Sequence, residues 1–351
     1  MKRKVITALL AATMVASLAV GCGNKGGDSK SDSSKSSSSD EITIGFSQVG
    51  AESDWRTANS ESMKSTFSEK NGYKLIFDDA QQKQENQITA IRNFIQQDVD
   101  YIVLAPVTET GWDTVLKEAK DADIPVIIVD RMIDVSDDSL YTAWVGSNFK
   151  MEGQKACEWL NAYAEAKGMK EVNIAHIQGT IGASAQIGRT EGLEEAAKEY
   201  GWNIVAQQTG EFTQAKGQEV MESMLKQHDN INVVYCENDN EAFGAIDAIE
   251  AAGKTVGPDG DILVMSFDTT NAGLTDTLSG KIICDTECNP LHGPRVQEII
   301  EKLEAGEDVD KQAYVEEEMF AADDTVTSIK VEDADYEVTT ITQDIIDGRA
   351  Y

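Results

Sequence analysis

From residue 42 onward, short apolar runs alternate with longer segments in which apolar residues recur every three or four positions. The short runs are typical of strands buried in a parallel sheet, and the longer segments are typical of helices that cover such a sheet. Residues 82–97 illustrate the second pattern, because Ile88, Ile91 and Ile95 fall on one helical face. The hydrophobic pattern therefore predicts an α/β fold.

The alternation of strands and helices occurs twice along the chain. The first series has predicted strands at residues 42–47, 73–78, 101–105 and 125–130 and predicted helices at residues 58–71, 82–97 and 112–122. The second series has predicted strands at residues 172–177, 203–208, 233–236 and 262–267 and predicted helices at residues 185–199, 214–227 and 241–252. Two series of similar size predict two doubly wound parallel-sheet lobes.

The N-terminal segment predicts export and a lipid anchor. A basic start precedes a mostly apolar run that ends at Cys22 and is too short to span a bilayer comfortably. The residues before Cys22 resemble a bacterial lipobox, although Ala19 stands where Leu is usual; an ordinary signal peptide is the alternative. We predict a lipoprotein signal peptide over residues 1–21, lipidation of Cys22, and a disordered Gly/Ser-rich tether over residues 22–40.

Composition narrows the possible functions. The chain has 30 Lys and Arg against 62 Asp and Glu, a formal net charge of −32, so it would repel phosphate backbones and is not expected to bind nucleic acid. No CxxC motif is present, and the three histidines lie far apart in the sequence, so we expect no zinc site. The sequence also lacks a phosphate-binding glycine loop and a nucleophile elbow, and no cofactor is expected.

Charged, polar or aromatic residues follow four of the predicted strands. They are Trp55 and Arg56 after the first strand, Asp130 and Arg131 after the fourth, Asn238 after the seventh and Asp268 after the eighth. In open α/β sheets, ligands bind beyond the carboxyl ends of the strands. We therefore expect these side chains to converge on one cleft between the two lobes.

With these strand ends, the sequence resembles the sugar-binding proteins of ABC importers, which have the type I periplasmic-binding fold. The resemblance is carried by SQVGAESDWR (47–56), QQKQENQ (81–87), GWDTVLKEAKDADIPVIIVDR (111–131), QGTIGAS (178–184) and GEFTQAKGQEVMESM (210–224). It implies two lobes joined by three hinge crossings, near residues 146–148, 287–289 and 320–324. The implied N-terminal lobe comprises residues 41–147 and 288–321, and the implied C-terminal lobe comprises residues 148–287 and 322–351.

The resemblance also implies a set of sugar-binding side chains. Carboxylates and guanidinium groups make charge-assisted hydrogen bonds to hydroxyls, and aromatic rings cover the C–H faces of a sugar. The implied set is Glu52, Trp55, Arg56, Asp130, Arg131, Asn148, Arg189, Phe212, Asn238 and Asp268. Structural roles are the alternatives: Asp130 and Arg131 as a local salt bridge, Asn238 as a helix cap, Asp268 as a turn former, and Trp55 as a core residue.

Three positions depart from the family pattern. Thr269 stands where a glycine commonly follows the aspartate, and Cys288 stands where ribose binders have a glutamine. Residues 333–337 mimic the start of the calcium loop of glucose and galactose binders, but Val338 occupies a turn position that needs glycine. We therefore expect no metal site.

The function implied is that of the solute-binding component of an ABC sugar importer. Such a protein would deliver a monosaccharide of the galactofuranose type to a permease. We expect it to be a monomer that is anchored by lipid to the outer face of the cell membrane. One alternative is an extracellular sugar or furanone sensor that contacts a signalling receptor. Another is a glycosidase with Asp130 and Asp268 as paired carboxylates, but each has a cationic or polar neighbour expected to keep it ionised.

Overall fold

A computed structural model describes residues 41–351. The predicted signal peptide, the predicted lipidation site Cys22 and the predicted tether lie in residues 1–40, outside the described residues. Within the described part, no helix is both long enough and apolar enough to cross a membrane.

The first lobe begins with strands and helices in strict alternation. Its elements are β1 (Ile42–Gln48), α1 (Asp54–Thr66), β2 (Tyr73–Asp79), α2 (Gln84–Gln96), β3 (Tyr101–Leu104), α3 (Asp113–Asp121), β4 (Val126–Val129) and β5 (Ala143–Gly146). Later in the chain, α9 (His292–Ala305) packs against α1, and β11 (Gln312–Tyr314) pairs with β5. The six strands form one parallel sheet in the order β11-β5-β4-β3-β1-β2.

The second lobe contains the second series. Its elements are α4 (Phe149–Lys167), β6 (Asn173–Gln178), α5 (Ser184–Tyr200), β7 (Asn203–Thr209), α6 (Gln214–Gln227), β8 (Val233–Cys236), α7 (Asp239–Ala251), β9 (Leu263–Asp268), α8 (Asn271–Leu278) and β10 (Cys284–Glu287), followed after the first-lobe segment by β12 (Met319–Ala321), β13 (Ser328–Val331), β14 (Ala334–Glu337), β15 (Thr339–Thr340) and α10 (Gln343–Gly348). Its main sheet has the order β15-β12-β10-β9-β8-β6-β7, in which only the β10–β12 pair is antiparallel.

Both faces of the central strands are buried. Successive side chains of a strand point to opposite faces, so Ile102 and Leu104 of β3 join one apolar cluster with Trp112, whereas Val103 joins another with Phe46. Helices cover each face, which explains why these strands are continuous apolar runs in the sequence. The predicted α/β fold with two doubly wound lobes is confirmed.

Three crossings join the lobes, as the resemblance implied. The first runs from β5 into α4, the second from β10 into α9, and the third from β11 into β12. The predicted third crossing, near residues 320–324, lies too late in the chain, because Met319–Ala321 already pairs with β10 in the second sheet. The sheet pairing therefore moves residues 319–321 from the predicted N-terminal lobe to the C-terminal lobe.

Candidate functional site

A cavity lies between the lobes at the carboxyl ends of the strands. It is lined by every side chain of the predicted set except Asn148, together with Ser53, Phe149, Ala185 and Cys288. The structure thus brings together residues that are as much as 236 positions apart in the chain (Glu52 and Cys288).

Arg56 is the centre of the charged group contributed by the first lobe. Its Nη2 lies 2.7 Å from Asp130 Oδ2, and its Nε donates to Glu52 Oε1 at 3.0 Å. Its Nη1 donates to Gln48 Oε1 at 3.3 Å. Arg131 Nη2 lies 3.9 Å from the same Glu52 oxygen. Because the four charged side chains are buried, their positions are fixed by one another rather than by solvent.

The start of α1 explains why Glu52 and Arg56 meet. Ser53 caps the helix by accepting a hydrogen bond from the backbone N–H of Arg56. This cap places the residues on either side of it at the positive end of the helix, and Glu52 then reaches Arg56 across one turn. The segment ESDWR is therefore both a helix start and the source of four residues that line the cavity.

Two strand-end aspartates carry their side chains on an unusual backbone. Asp130 has φ of 63° and Asp268 has φ of 106°, values that non-glycine residues seldom adopt. Gly146 on the neighbouring strand permits this at Asp130, because an added Cβ there would lie 2.2 Å from the Asp130 carbonyl oxygen. Strain of this kind collects at functional sites, where the surrounding fold maintains it.

The charges of the first-lobe group set the protonation of its members. Burial would raise the pKa of Asp130, but attraction by Arg56 and Arg131 outweighs burial and holds the pKa below its usual range. Burial and repulsion by Arg56 lower the pKa of Arg131 to about 10. At neutral pH both Asp130 and Arg131 are therefore charged.

Arg189 is the corresponding centre in the second lobe. Its Nε donates to Glu152 Oε2 at 2.7 Å, and its Nη1 donates to the Glu237 carbonyl oxygen. Its Nη2 lies 3.6 Å from Asp268 Oδ1, and its guanidinium carbon lies 4.7 Å from the centre of the Phe267 ring. Arg189 is buried, so the cation is held from several directions with Nη2 near the cavity.

Asp268 differs from Asp130 in its electrostatic surroundings. Burial raises the pKa of Asp268 well above its usual range; Arg189 opposes this shift, and the carboxyl groups of Asp239 and Glu152 reinforce it. The expectation that a neighbouring cation keeps each candidate acid ionised is therefore wrong for Asp268, because one cation at 3.6 Å faces several carboxyl groups. A protonated carboxyl group can donate a hydrogen bond as well as accept one.

The buried carboxyl group of Asp239, next to this site, predicts a measurable dependence of stability on pH. It accepts hydrogen bonds from the Ser266 hydroxyl and from the Thr270 backbone and hydroxyl, yet burial raises its pKa to about 6. Between about pH 4 and pH 6 the folded chain holds this proton and the unfolded chain does not, so stability falls as pH rises through that window.

We expect Asp239→Asn to reduce this pH-dependent loss in the free energy of unfolding by on the order of 2 kcal/mol. Urea unfolding measured across the window checks the slope, and Asp247→Asn, at an exposed position on the same helix, is the control. An equal slope in the wild type and in Asp239→Asn would contradict the assignment.

Aromatic rings cover the remaining walls of the cavity. Trp55 is buried, and its indole N–H donates to the Cys288 carbonyl oxygen at 2.6 Å. The guanidinium carbon of Arg56 lies 4.6 Å from the centre of the Trp55 ring, and that of Arg131 lies 5.0 Å from the centre of the Phe212 ring. Trp55 is therefore both a packed residue and a wall of the cavity, so the two predicted roles are combined.

The two asparagines of the predicted set have different positions. Asn238 caps α7 by accepting from the Glu241 backbone N–H at 2.9 Å, and it also lines the cavity. Asn148 caps α4 by accepting from the Met151 backbone N–H at 3.1 Å and lies outside the cavity. The structure does not bring Asn148 together with the other predicted residues, because its side chain is committed to the helix start.

Sequence reasoning missed Phe149 and did not include Cys288 in the predicted set. Phe149 is the first residue of α4, and its ring packs with Trp55, Phe212 and Cys288 in one buried cluster. An aromatic residue directly after a predicted crossing was the available signal, because the crossings border the cleft. Cys288 lies in the second crossing and lines the cavity.

Hydrogen bonds between the lobes show that the cleft is closed in this structure. They come from backbone N–H groups on one side and from oxygens on the other, with distances of 2.8–3.0 Å. The pairs are Asp54 N with Asn240 Oδ1, Met132 N with Ser184 Oγ, and Glu109 N with Gly182 O. Such contacts break when the lobes part. The free energy that favours the closed form therefore comes from these hydrogen bonds and from contacts within the cavity.

Known proteins share both the sequence and the architecture. Residues 44–284 match the periplasmic binding protein domain family. The chain is 46% identical over 258 residues to the galactofuranose-binding protein YtfQ of Escherichia coli (strain K12), an alignment that covers 72% of this chain and 79% of that protein. That relative is named as a binding protein.

Solved structures extend the likeness. A protein from Mycobacterium smegmatis in complex with β-D-fucofuranose is 45% identical with a TM-score of 0.77, covering 81% of this chain and 92% of that chain. A second structure is the periplasmic binding protein component of the arabinose ABC transporter from Shewanella sp. ANA-3, bound to α- and β-L-arabinofuranose. It is 44% identical with a TM-score of 0.75, and the match covers 81% of this chain and 93% of that chain. Two parallel-sheet lobes, three crossings and these likenesses lead to one conclusion: the chain belongs to the periplasmic binding protein family.

Proposed function

We propose that this protein is the sugar-binding component of an ABC importer and that its ligand is a monosaccharide in the furanose form, with galactofuranose the first candidate. The observation that carries the proposal is the convergence of buried cations and carboxyl groups from both lobes on one closed cavity. Relatives with 44–46% identity are named for galactofuranose or hold fucofuranose or arabinofuranose.

The cavity suits a compact polyol. Sugar hydroxyls both donate and accept, so one ring of hydroxyls can satisfy Asp130 and Arg131 from one lobe and Arg189 and Asp268 from the other. Trp55, Phe149 and Phe212 then cover the apolar C–H surface. A sugar lacking one hydroxyl leaves a buried charged partner unpaired, and this is how such a site discriminates among sugars.

Binding and closing are linked through the crossings. Residues from both lobes contact the same ligand, so the sugar binds the closed form more tightly than the open form. A bound sugar therefore shifts the equilibrium toward the closed form. The closed form is then the one that docks on the permease and releases its sugar there. We further propose that the protein acts as a monomer outside the cytoplasm, tethered to the membrane through lipidated Cys22.

The proposal requires no chemistry on the sugar. The raised pKa of Asp268 beside the ionised Asp130 is an arrangement that glycosidases also use. The binding role is nevertheless preferred, because the relatives from Escherichia coli and Shewanella are named as binding proteins and each cavity carboxyl group faces a guanidinium group. Recovery of the sugar unchanged after incubation supports this role, and release of a product from a glycoside would overturn it.

Thermal unfolding against a panel of sugars tests the ligand class. A ligand at about one hundred times its dissociation constant adds about 2.7 kcal/mol to the free energy of unfolding, which raises the midpoint visibly. We expect D-galactose and L-arabinose, which populate furanose forms in solution, to raise the midpoint, whereas D-glucose and myo-inositol leave it unchanged. A shift with glucose or inositol alone would keep the sugar-binding class and contradict the furanose assignment.

A further inference from the structure

A second cluster of polar side chains lies where the crossings meet, and one of its members, Cys288, also lines the sugar cavity. It consists of Glu152 on α4, Cys288 in the second crossing and Glu317 in the third. One side-chain oxygen or sulfur atom from each lies within 4.8 Å of the others. Glu152 and Cys288 are buried and Glu317 is partly buried. Three metal-ligating groups from distant parts of the chain thus converge on one point.

The hydrogen bonds of the cluster leave one oxygen unsatisfied. Glu317 Oε1 accepts from the Ser147 hydroxyl at 2.5 Å and from the Asn289 backbone N–H at 2.9 Å. Glu152 Oε2 accepts from Arg189. Glu152 Oε1 has no hydrogen-bond partner among the described residues, although Glu152 is only 2% exposed. A buried carboxylate oxygen without a partner is costly, so a positively charged species beside it would be strongly stabilised.

The donor types identify the kind of cation. A thiol with two carboxylates is a mixed sulfur and oxygen set, which suits Zn²⁺ rather than Mg²⁺ or Ca²⁺, whose ligands are all oxygens. Two cations lie nearby against these three acidic groups: Arg189 donates to the other oxygen of Glu152, and Lys155, whose ammonium lies 4.3 Å from the centre of the Tyr336 ring, also attracts the Glu152 carboxylate. The cluster therefore retains excess negative charge when its thiol is deprotonated.

An approach from solvent exists. Glu152 and Glu317 line a cavity of about 230 Å³ that is separate from the sugar cavity, and the exposed residue Glu316 lines it as well. A hydrated cation could enter from that side and exchange waters for the three side chains. An access path of this kind is one of the requirements for a functional metal site.

We propose that Glu152, Cys288 and Glu317 form a binding site for one Zn²⁺ ion. Glu152 lies on the helix that follows the first crossing, and the other two ligands belong to the second and third crossings. A bound ion therefore ties the three connections together, and Glu152 links it through Arg189 to the sugar cavity. The proposal concerns the cation alone and stands or falls independently of which sugar the protein binds.

Titration of the metal-free protein with Zn²⁺ and Cd²⁺ tests the site. We expect calorimetry to give one Zn²⁺ per chain, and we expect Cd²⁺ to produce the ultraviolet charge-transfer band of a cadmium–thiolate bond. Cys288→Ser should abolish the band, and Cys288→Ser and Glu317→Gln should each weaken Zn²⁺ binding by at least about tenfold. Glu316→Gln, next to the cluster but not in it, is the matched control and should bind as the wild type does.

Each other outcome counts against the proposal. A thiolate band that persists in Cys288→Ser would assign the metal to another cysteine, and Zn²⁺ binding that is unaffected by Glu317→Gln would remove the carboxylate ligand. Failure of the folded wild-type protein to bind either ion at neutral pH would mean that the carboxyl groups are satisfied by a shared proton instead. Circular dichroism of each variant separates loss of the site from loss of the fold.

Discussion

Replacing Arg189 with methionine is expected to lower the free energy of unfolding by about 3–5 kcal/mol, measured by urea at neutral pH without sugar. The guanidinium is buried and bonds Glu152 and the Glu237 carbonyl oxygen, and it faces Asp268 at 3.6 Å. Methionine fills much of the same volume but leaves these acceptors without a partner. Removing one member of a buried ion pair is therefore far more destabilising than removing a surface charge.

Lys198→Met is the matched control for Arg189→Met. Lys198 lies on the same helix, α5, at an exposed position near its end, so the change in side chain is comparable while burial differs. We expect the free energy of unfolding to change by no more than about 0.5 kcal/mol. Equal effects of the two substitutions would show that the Arg189 ion pairs do not hold the second lobe together.

Asp130→Asn is expected to weaken sugar binding by about 10- to 150-fold while the chain stays folded. The carboxylate is ionised and lines the cavity, and the loss of a charge-assisted hydrogen bond to a hydroxyl costs about 1.5–3 kcal/mol. Arg56 keeps Glu52 and Gln48 as acceptors in the variant, so its charge is not left alone. Calorimetric titration with the sugar that stabilises the wild type measures the change.

Asp134→Asn provides the comparison for Asp130→Asn. Asp134 is an exposed aspartate four residues further on in the same loop, and its replacement removes the same charge without touching the cavity. We expect its sugar affinity to equal that of the wild type. If Asp130→Asn also bound as tightly as the wild type, Asp130 would have only a structural role, as one half of a salt bridge with Arg56.

The sequence predicted the site wherever a residue followed a strand of recognisable pattern. Asp130 and Arg131 come after a run of four apolar residues, and Asp268 follows a mostly apolar strand that only Ser266 interrupts. The buried parallel strand imposes that pattern and also delivers its carboxyl end to the cleft. Local sequence therefore contained both the strand and the place where its end would lie.

The features missed depend on contacts between distant segments. Helix α4 carries buried Glu152 and Lys155 among its apolar residues, which interrupt the helical stripe because their partners lie elsewhere in the fold. The position of β12 in the second sheet is set by pairing with β10, more than thirty residues earlier. Asn148 was predicted to face the sugar, but its side chain caps a helix that the pattern did not reveal.

The pKa of Asp268 could not be predicted from its sequence neighbours. Its raised pKa results from burial together with carboxyl groups of Asp239 and Glu152, which come from α7 and α4. A single cation, Arg189, opposes them. Near Asp130 two guanidinium groups, those of Arg56 and Arg131, act together, and the pKa of Asp130 is lowered instead of raised. The balance among such groups is a property of the folded arrangement and not of any one segment.

The most direct test of the furanose-binding proposal is carbon-13 NMR of the protein with D-galactose or L-arabinose labelled at the anomeric carbon. In solution these sugars are mostly pyranoses, so the form that binds is revealed by which anomeric signal moves into the bound state. We expect a bound furanose signal that is weaker with Asp130→Asn at the same sugar concentration, and we expect the sugar to be recovered unchanged at the end. A bound pyranose signal, or no bound signal for either sugar, would contradict it.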